Sequence, residues 1–106
     1  MTRLSTVTLA LNEEANIVDC LESVAWADER IVVLDSRSHD RTAELARRVG
    51  ACVVERPFVN FCEQHQAALA LASHDWVFSI DADERATPAL AEEVRRVIER
   101  PSPVGW

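Results

Sequence analysis

The chain contains no lysine; all 11 of its Lys/Arg cations are arginine. That absence removes every mechanism built on a lysine base, a Schiff base or a phosphate-loop lysine. There is no run of 18 or more apolar residues, so no membrane-spanning helix is expected. The first ten residues carry one arginine and no apolar stretch leading to a small-residue cleavage site, so no secretory leader is expected. A basic surface is missing too. The formal net charge is −7, the opposite of what phosphate neutralisation requires, and nucleic acid is not an expected partner. Cys20, Cys52 and Cys62 are odd in number and lack Cys-x-x-Cys spacing. They fit a reducing cytoplasm better than a disulfide framework. No internal repeat, low-complexity tract or linker breaks the chain before Pro101.

What is present is an alternation of strand and helix signals over 106 residues, 48% of them hydrophobic. Leu4 to Leu11 mixes apolar and Ser/Thr residues and then becomes apolar, as a largely buried strand does. Asn12 is placed to cap a following helix, with Glu13 and Glu14 at its positive end. Ile17, Val18, Leu21 and Val24 then recur at helical spacing. Ile31 to Leu34 is a β-branched run ending at Asp35. Thr42 to Val49 reads as a helix capped by Asp40 and closed by Gly50, and Ala51 to Glu55 reads as a third strand. Phe58 to Ala72 reads as a helix with Phe61, Ala68 and Leu71 on one face. Trp76 to Ile80 is a fourth strand. Thr87 and Pro88 open a last helix that buries Leu90, Val94, Val97 and Ile98. Trp26 and Trp76 are expected in the core. Apolar, non-alternating strands separated by helices indicate an α/β fold with a parallel sheet covered on both faces.

In such a sheet, ligands bind beyond the carboxyl ends of the strands, near the point where strand order reverses. The first strand delivers Asn12, Glu13 and Glu14 to that edge, the second Asp35, and the fourth Asp81, Asp83 and Glu84. Each has a plain reading as well: Asn12 as a helix cap and Asp35 as a turn former. The acids after the fourth strand are harder to treat as turn residues, because clustered carboxylates repel unless a cation neutralises them. Oxygen-only ligands suit Mg²⁺ or Mn²⁺, which retain waters and bridge to phosphates. Arg56, at the end of the third strand, is a candidate phosphate contact. His39, His65 and His74 form no ligand set. Arg47-Arg48 and Arg95-Arg96 read as solvated helix faces.

Three stretches, in order and spacing, resemble the family 2 glycosyltransferases, and most nearly the bacterial subgroup that builds the lipopolysaccharide core. They are Leu9 to Ile17, Val33 to Ser36, and Asp75 to Glu84. The resemblance covers nearly the whole chain. It implies a GT-A (Rossmann-like) fold with four parallel strands in the order 3-2-1-4, helices on both faces, and inverting transfer from a nucleotide-diphosphate sugar, with UDP-sugar the expected donor. It further implies that Asp35 accepts a hydrogen bond from the base and that Asn12 and Glu14 border the nucleoside. By the same resemblance Asp83 holds a Mg²⁺ or Mn²⁺ bridging the diphosphate, Asp81 lies by the ribose, phosphate and metal, and Gln64 belongs to the nucleotide site. The implied acceptor is a cell-envelope glycan or glycolipid such as lipopolysaccharide core. The implied location is cytoplasmic, peripheral to the inner membrane in a longer protein.

Departures from the family pattern fall near these residues. Arg37 stands where a glycine is common after the second strand, and His39 where threonine is common. A glycine there tolerates positive φ, which arginine resists. Gln64 is followed by His65 and Gln66 rather than by a basic residue and Asn. No residue after Glu84 matches the family's general base, and Glu92, Glu93 and Glu99 read as solvated. The expectation is a donor-binding half over 1–100, a tail over 101–106 leading to an acceptor half outside this sequence, and no catalytic residue within it. A free fourth-strand edge predicts self-association, with Val97 and Trp106 as contacts. The reading from another class is a non-catalytic nucleotide-binding or interaction module. A haloacid-dehalogenase-like phosphatase is disfavoured by Arg85, a phosphorylation receiver by the absent lysine, and a dinucleotide-binding fold by the Asn-Glu-Glu first turn.

Overall fold

A computed structural model describes residues 3–74 and 76–99. The elements are β1 (Leu4–Ala10), α1 (Ile17–Ser23), β2 (Glu29–Asp35), α2 (Thr42–Arg48), β3 (Cys52–Arg56), α3 (Phe61–Leu71), β4 (Trp76–Ser79) and α4 (Pro88–Glu99). All neighbouring strands are parallel, in the order β3-β2-β1-β4, so the α/β class and the expected strand order both hold. The chain builds outward from β1 to β3 and then returns to the other side of β1. The switch point therefore lies between β1 and β4. The expected tail over 101–106, Trp106 as a contact, and Asp75 lie outside the described residues.

The packing explains why β2 reads as an unbroken apolar run. Ile31 and Val33 join Val7 and Ala68 on the face covered by α3. Val32 and Leu34 join Ala10, Ile17, Leu21 and Ala46 on the face covered by α1 and α2. With both faces covered, alternation is not selected. Cys20, Val24, Ile80 and Ala86 form a third cluster beside them.

Several boundaries move from their sequence positions, each for a local reason. Asn12 does not cap α1: it holds φ at 51°, and the helix begins only at Ile17. The α3 helix starts at Phe61 rather than Phe58 because the Asn60 side chain accepts the Glu63 N–H at 2.8 Å and caps it there. Its inward side carries Gln64 and Ala68, while Phe61 and Leu71 are exposed. Leu90 is exposed as well, and Ala91 is buried. Trp26 and Trp76 are only half-buried. Thr87 does open α4, accepting the Leu90 N–H at 3.1 Å.

At the amino end of the sheet, one side chain ties two helices together. Arg30 donates from Nη1 to the Leu21 carbonyl at 3.0 Å and from Nη2 to the Val49 carbonyl. These are carbonyls at the C-terminal ends of α1 and α2, where the helix dipole favours a cation; the Leu21 carbonyl also accepts the Val24 N–H. Gly50 follows at φ 93°, where an added Cβ would stand 3.0 Å from Arg30 Nη2.

Candidate functional site

The loops leaving β1 and β2 are laced together at the carboxyl edge. The Asn12 carboxamide oxygen accepts the His39 N–H at 2.9 Å and the Ser38 hydroxyl at 3.2 Å, while the Asn12 N–H donates to Ser38 Oγ at 3.0 Å. The Glu13 N–H donates to Thr42 Oγ1 at 2.8 Å, and the Glu14 N–H to Asp40 Oδ2 at 3.1 Å. Asp40 also accepts the Thr42 N–H at 2.9 Å and the Thr42 hydroxyl; the N-cap of α2 is Arg41 rather than the expected Asp40, which holds the first helical N–H from one residue earlier and anchors the neighbouring loop besides. Burial pushes the Asp40 carboxyl upward, but the hydrogen bonds from Thr42, Glu14 and Ser38 outweigh it and leave it below its ordinary value. Positive φ at Asn12 belongs to this lacing: asparagine tolerates the left-handed region, and its side chain is then free to reach the second loop.

Beside the loops, on the α3 face, lies a pocket of about 240 Å³ lined by Leu9, Leu11, Val33, Phe58 and Phe61, with Asp35, Arg37 and Gln64 as its polar members. Phe58 and Phe61 meet edge to face, with ring centroids 5.2 Å apart. Leu11 and Phe61 are exposed at its mouth. Asp35 is only 4% exposed and is held by Arg37, whose Nη2 lies 2.6 Å from Oδ2. Side-chain hydrogen bonds from Arg37 hold the Asp35 carboxyl below its ordinary value, against the upward push of burial. Arg37 does not occupy the positive-φ conformation that a glycine at its position would permit; among the described residues only Asn12 and Gly50 do.

On the other side of β1, β4 stays in register with it as far as Ser79 opposite Val7, and the Ile80 N–H continues the ladder to the Val7 carbonyl. The chain then turns. Glu84 Oε1 accepts the Asp81 N–H at 2.8 Å, and the Glu84 N–H returns to the Asp81 carbonyl at 2.9 Å. Ala82 is buried against the core while Asp81 and Asp83 are exposed on either side of it. The adjacent cation, Arg85, reaches Asn16 Oδ1 at 3.2 Å and Asp19 at 3.5 Å. Among the described residues no group of three or more His, Cys, Asp or Glu is placed to hold a metal ion. The two exposed carboxylates still suit a hard cation that keeps most of its shell for water and phosphate.

The structure therefore places Asp35 and Gln64 in one pocket, with Arg56 on β3 in register with Asp35. Asn12 and Glu14 sit in the laced loops, Glu14 exposed and outside that pocket. Asp81 and Asp83 follow β4. Sequence reasoning missed the pocket walls Phe58 and Phe61 and the part played by Arg37. The signal for Arg37 was its spacing: the Arg37 N–H donates to Asp35 Oδ1 at 2.9 Å, the turn that an aspartate two residues earlier favours.

Comparison with known proteins gives a consistent result. The family model described as glycosyl transferase family 2 matches residues 5–105. An uncharacterized glycosyltransferase of Rickettsia typhi is 33% identical over 97 residues, 92% of this chain and 33% of that protein. The lipopolysaccharide core biosynthesis glycosyltransferase LpsC of Rhizobium meliloti is 38% identical over 109 residues, 97% of this chain and 40% of that protein. The crystal structure of S. aureus TarS matches with a TM-score of 0.68 at 22% identity, covering 91% of this chain and 20% of that one, a likeness of fold. The chain spans about a third of the length of the first curated relatives it matches.

Proposed function

This chain belongs to glycosyl transferase family 2, and from that premise we propose that its carboxyl edge binds the donor of an inverting sugar transfer, a nucleoside diphosphate sugar. The observation that carries the proposal is the convergence of a base-sized, mostly apolar pocket at Asp35 with the loops of Asn12 and Glu14 and the acids after β4, all at one sheet edge. In this reading the base lies in the pocket, with Asp35 and Gln64 as its polar partners and Asn12 and Glu14 bordering the nucleoside. Arg56 is within the same edge as a phosphate contact. Asp83, with Asp81, would hold Mg²⁺ or Mn²⁺, which supplies charge neutralisation for a departing diphosphate. An acceptor hydroxyl oxygen bonds to the anomeric carbon from the face opposite the leaving group while the bond from that carbon to the diphosphate oxygen breaks. The hydroxyl proton passes to a general base that is not among the residues assigned here. The acceptor class we propose is a cell-envelope glycan or glycolipid, supported by the name of the Rhizobium relative.

Calorimetric titration with UDP tests the donor reading. Affinity should be greater with Mn²⁺ than with EDTA, and Asp83→Ala should remove that difference. Asp35→Ala should weaken binding under both conditions. Metal dependence that survives Asp83→Ala would take Asp83 out of the site.

A further inference from the structure

As it stands, the Asp35 carboxylate is engaged at both oxygens by one residue, Arg37. Its Oδ1 accepts the Arg37 backbone N–H at 2.9 Å and Nε–H at 3.1 Å; its Oδ2 accepts Nε–H at 3.1 Å and Nη2–H at 2.6 Å. An ionised carboxylate has about four acceptor positions, and three Arg37 N–H groups, one of them shared between the two oxygens, take up most of them. The same guanidinium lies over the Phe58 ring, 5.3 Å from its centroid. One planar side chain thus occupies both the hydrogen-bonding partner and the aromatic face that a flat heterocycle in this pocket would use.

Gln64 is in the opposite condition. It is 3% exposed, lines the same pocket, and its Nε2 has no hydrogen-bond partner. A buried amide donor left unpaired is costly, and a ligand oxygen would relieve it.

Resting on the reading above that this pocket receives the base, we infer that Arg37 is an internal surrogate for that base. It stands on Asp35 and Phe58 in the free protein and is displaced by the incoming nucleoside. Its side chain is 65% exposed, so the guanidinium passes readily into water, whereas the buried acid must receive a replacement donor. A base that offers an N–H to Asp35 and a carbonyl oxygen to Gln64 meets both needs at once. The imide edge of uracil has these groups. Arg37 is then a specificity-determining residue: only a base able to replace its hydrogen bonds and its stacking displaces it.

The test is calorimetric titration of the 106-residue chain with UDP and, separately, with inorganic pyrophosphate, both in Mn²⁺. Arg37→Ala should bind UDP roughly five- to tenfold more tightly than the parent, the size expected for removing an exposed ion pair and a cation–π contact. Arg37→Lys should fall between them, since an ammonium lacks the planar fork. Pyrophosphate, which has no base, should gain nothing from Arg37→Ala. The gain with UDP should also vanish when Asp35→Asn is present. If Arg37→Ala binds UDP no more tightly than the parent while Asp35→Asn weakens it, the surrogate role is overturned and the pocket assignment stands. Equal tightening of pyrophosphate would overturn the surrogate role as well. If neither substitution changes UDP affinity, or no form binds UDP, the pocket assignment falls and the surrogate role falls with it.

Discussion

Asp40 is the residue whose loss should be felt furthest from its own position. Asp40→Ala removes the acceptor for the Thr42 N–H at the start of α2 and for the Glu14 N–H in the neighbouring loop. It also strands the Thr42 hydroxyl, which belongs to a fully buried residue and otherwise donates to Asp40 while accepting the Glu13 N–H. Loss of a side-chain acceptor for an N–H in the first turn of a helix costs about 1 kcal/mol. Leaving a buried hydroxyl without its acceptor costs about 1 kcal/mol more. The Glu14 N–H is in an exposed contact and is repaired by water, so it adds little. The sum is about 2 kcal/mol, which in a domain of this size corresponds to roughly 10 °C in Tm. Asp40→Asn keeps one acceptor and should lose about half as much. Urea unfolding followed by circular dichroism measures the difference directly. A loss below about 0.5 kcal/mol for Asp40→Ala, the range of an ordinary surface substitution, would refute the lacing as a source of stability.

Other expectations follow from single features. Asp35, Asp40 and Glu29 are all held below their ordinary values of 3.8, 3.8 and 4.5, Glu29 chiefly by the Ser73 backbone N–H. A lowered folded-state value means that the stability these groups supply is complete above the ordinary values and is lost as pH falls through the lowered ones. The urea midpoint should therefore hold from about pH 7 to 5 and drop below about pH 4; a midpoint that rises on acidification contradicts this. Cys20 is fully buried, and burial pushes its thiol up to about 11, while Cys52 and Cys62 are exposed. A thiol reagent should titrate the exposed pair rapidly and the third only on unfolding; three equal rates would contradict the packing. Finally, β4 pairs with β1 along one side, and among the described residues no strand pairs its outer side. Half-buried Trp76, Val77 and Phe78 carry neither charge nor proline to protect that edge. Sedimentation across a concentration series should reveal a two-fold dimer through β4 and the nearby Val97; a strict monomer at high concentration argues against it.

The fold was legible because burial on both faces leaves its mark on composition: β2 is apolar at every position from Ile31 to Leu34, and the acids mark where strands end. Helix faces were less legible. Phe61, Leu71 and Leu90 look like core residues by type, yet small side chains, Ala68 and Ala91, are the buried ones, Ala68 against the sheet. Phe61 instead stands at the pocket mouth, a place that spacing along one helix does not reveal. The Asp35 position was readable from its place at the end of β2, but its state was not. Only the folded loop shows Arg37 closed over it, and only the packing of α3 shows Gln64 facing the same pocket without a partner. Asn12 was assigned to the correct edge with the wrong local partner: its oxygen meets the second loop rather than the first helix.

The clamp made by Arg30 gives the two ends of the sheet different evolutionary freedoms. Because a guanidinium grips the tails of α1 and α2 at the amino end, those helices do not depend solely on the carboxyl-edge loops for their seating. Residues such as Arg37 and His39 are exposed on that rim, where, on the proposed reading, replacement would alter what is recognised before it alters whether the helices stay docked. Arg30 has no such latitude. A lysine there offers one compact ammonium in place of a fork and must release one helix tail to keep the other. The loosening would then travel up α1 and α2 to both laced loops at once, so a substitution remote from any ligand would register first as blurred recognition.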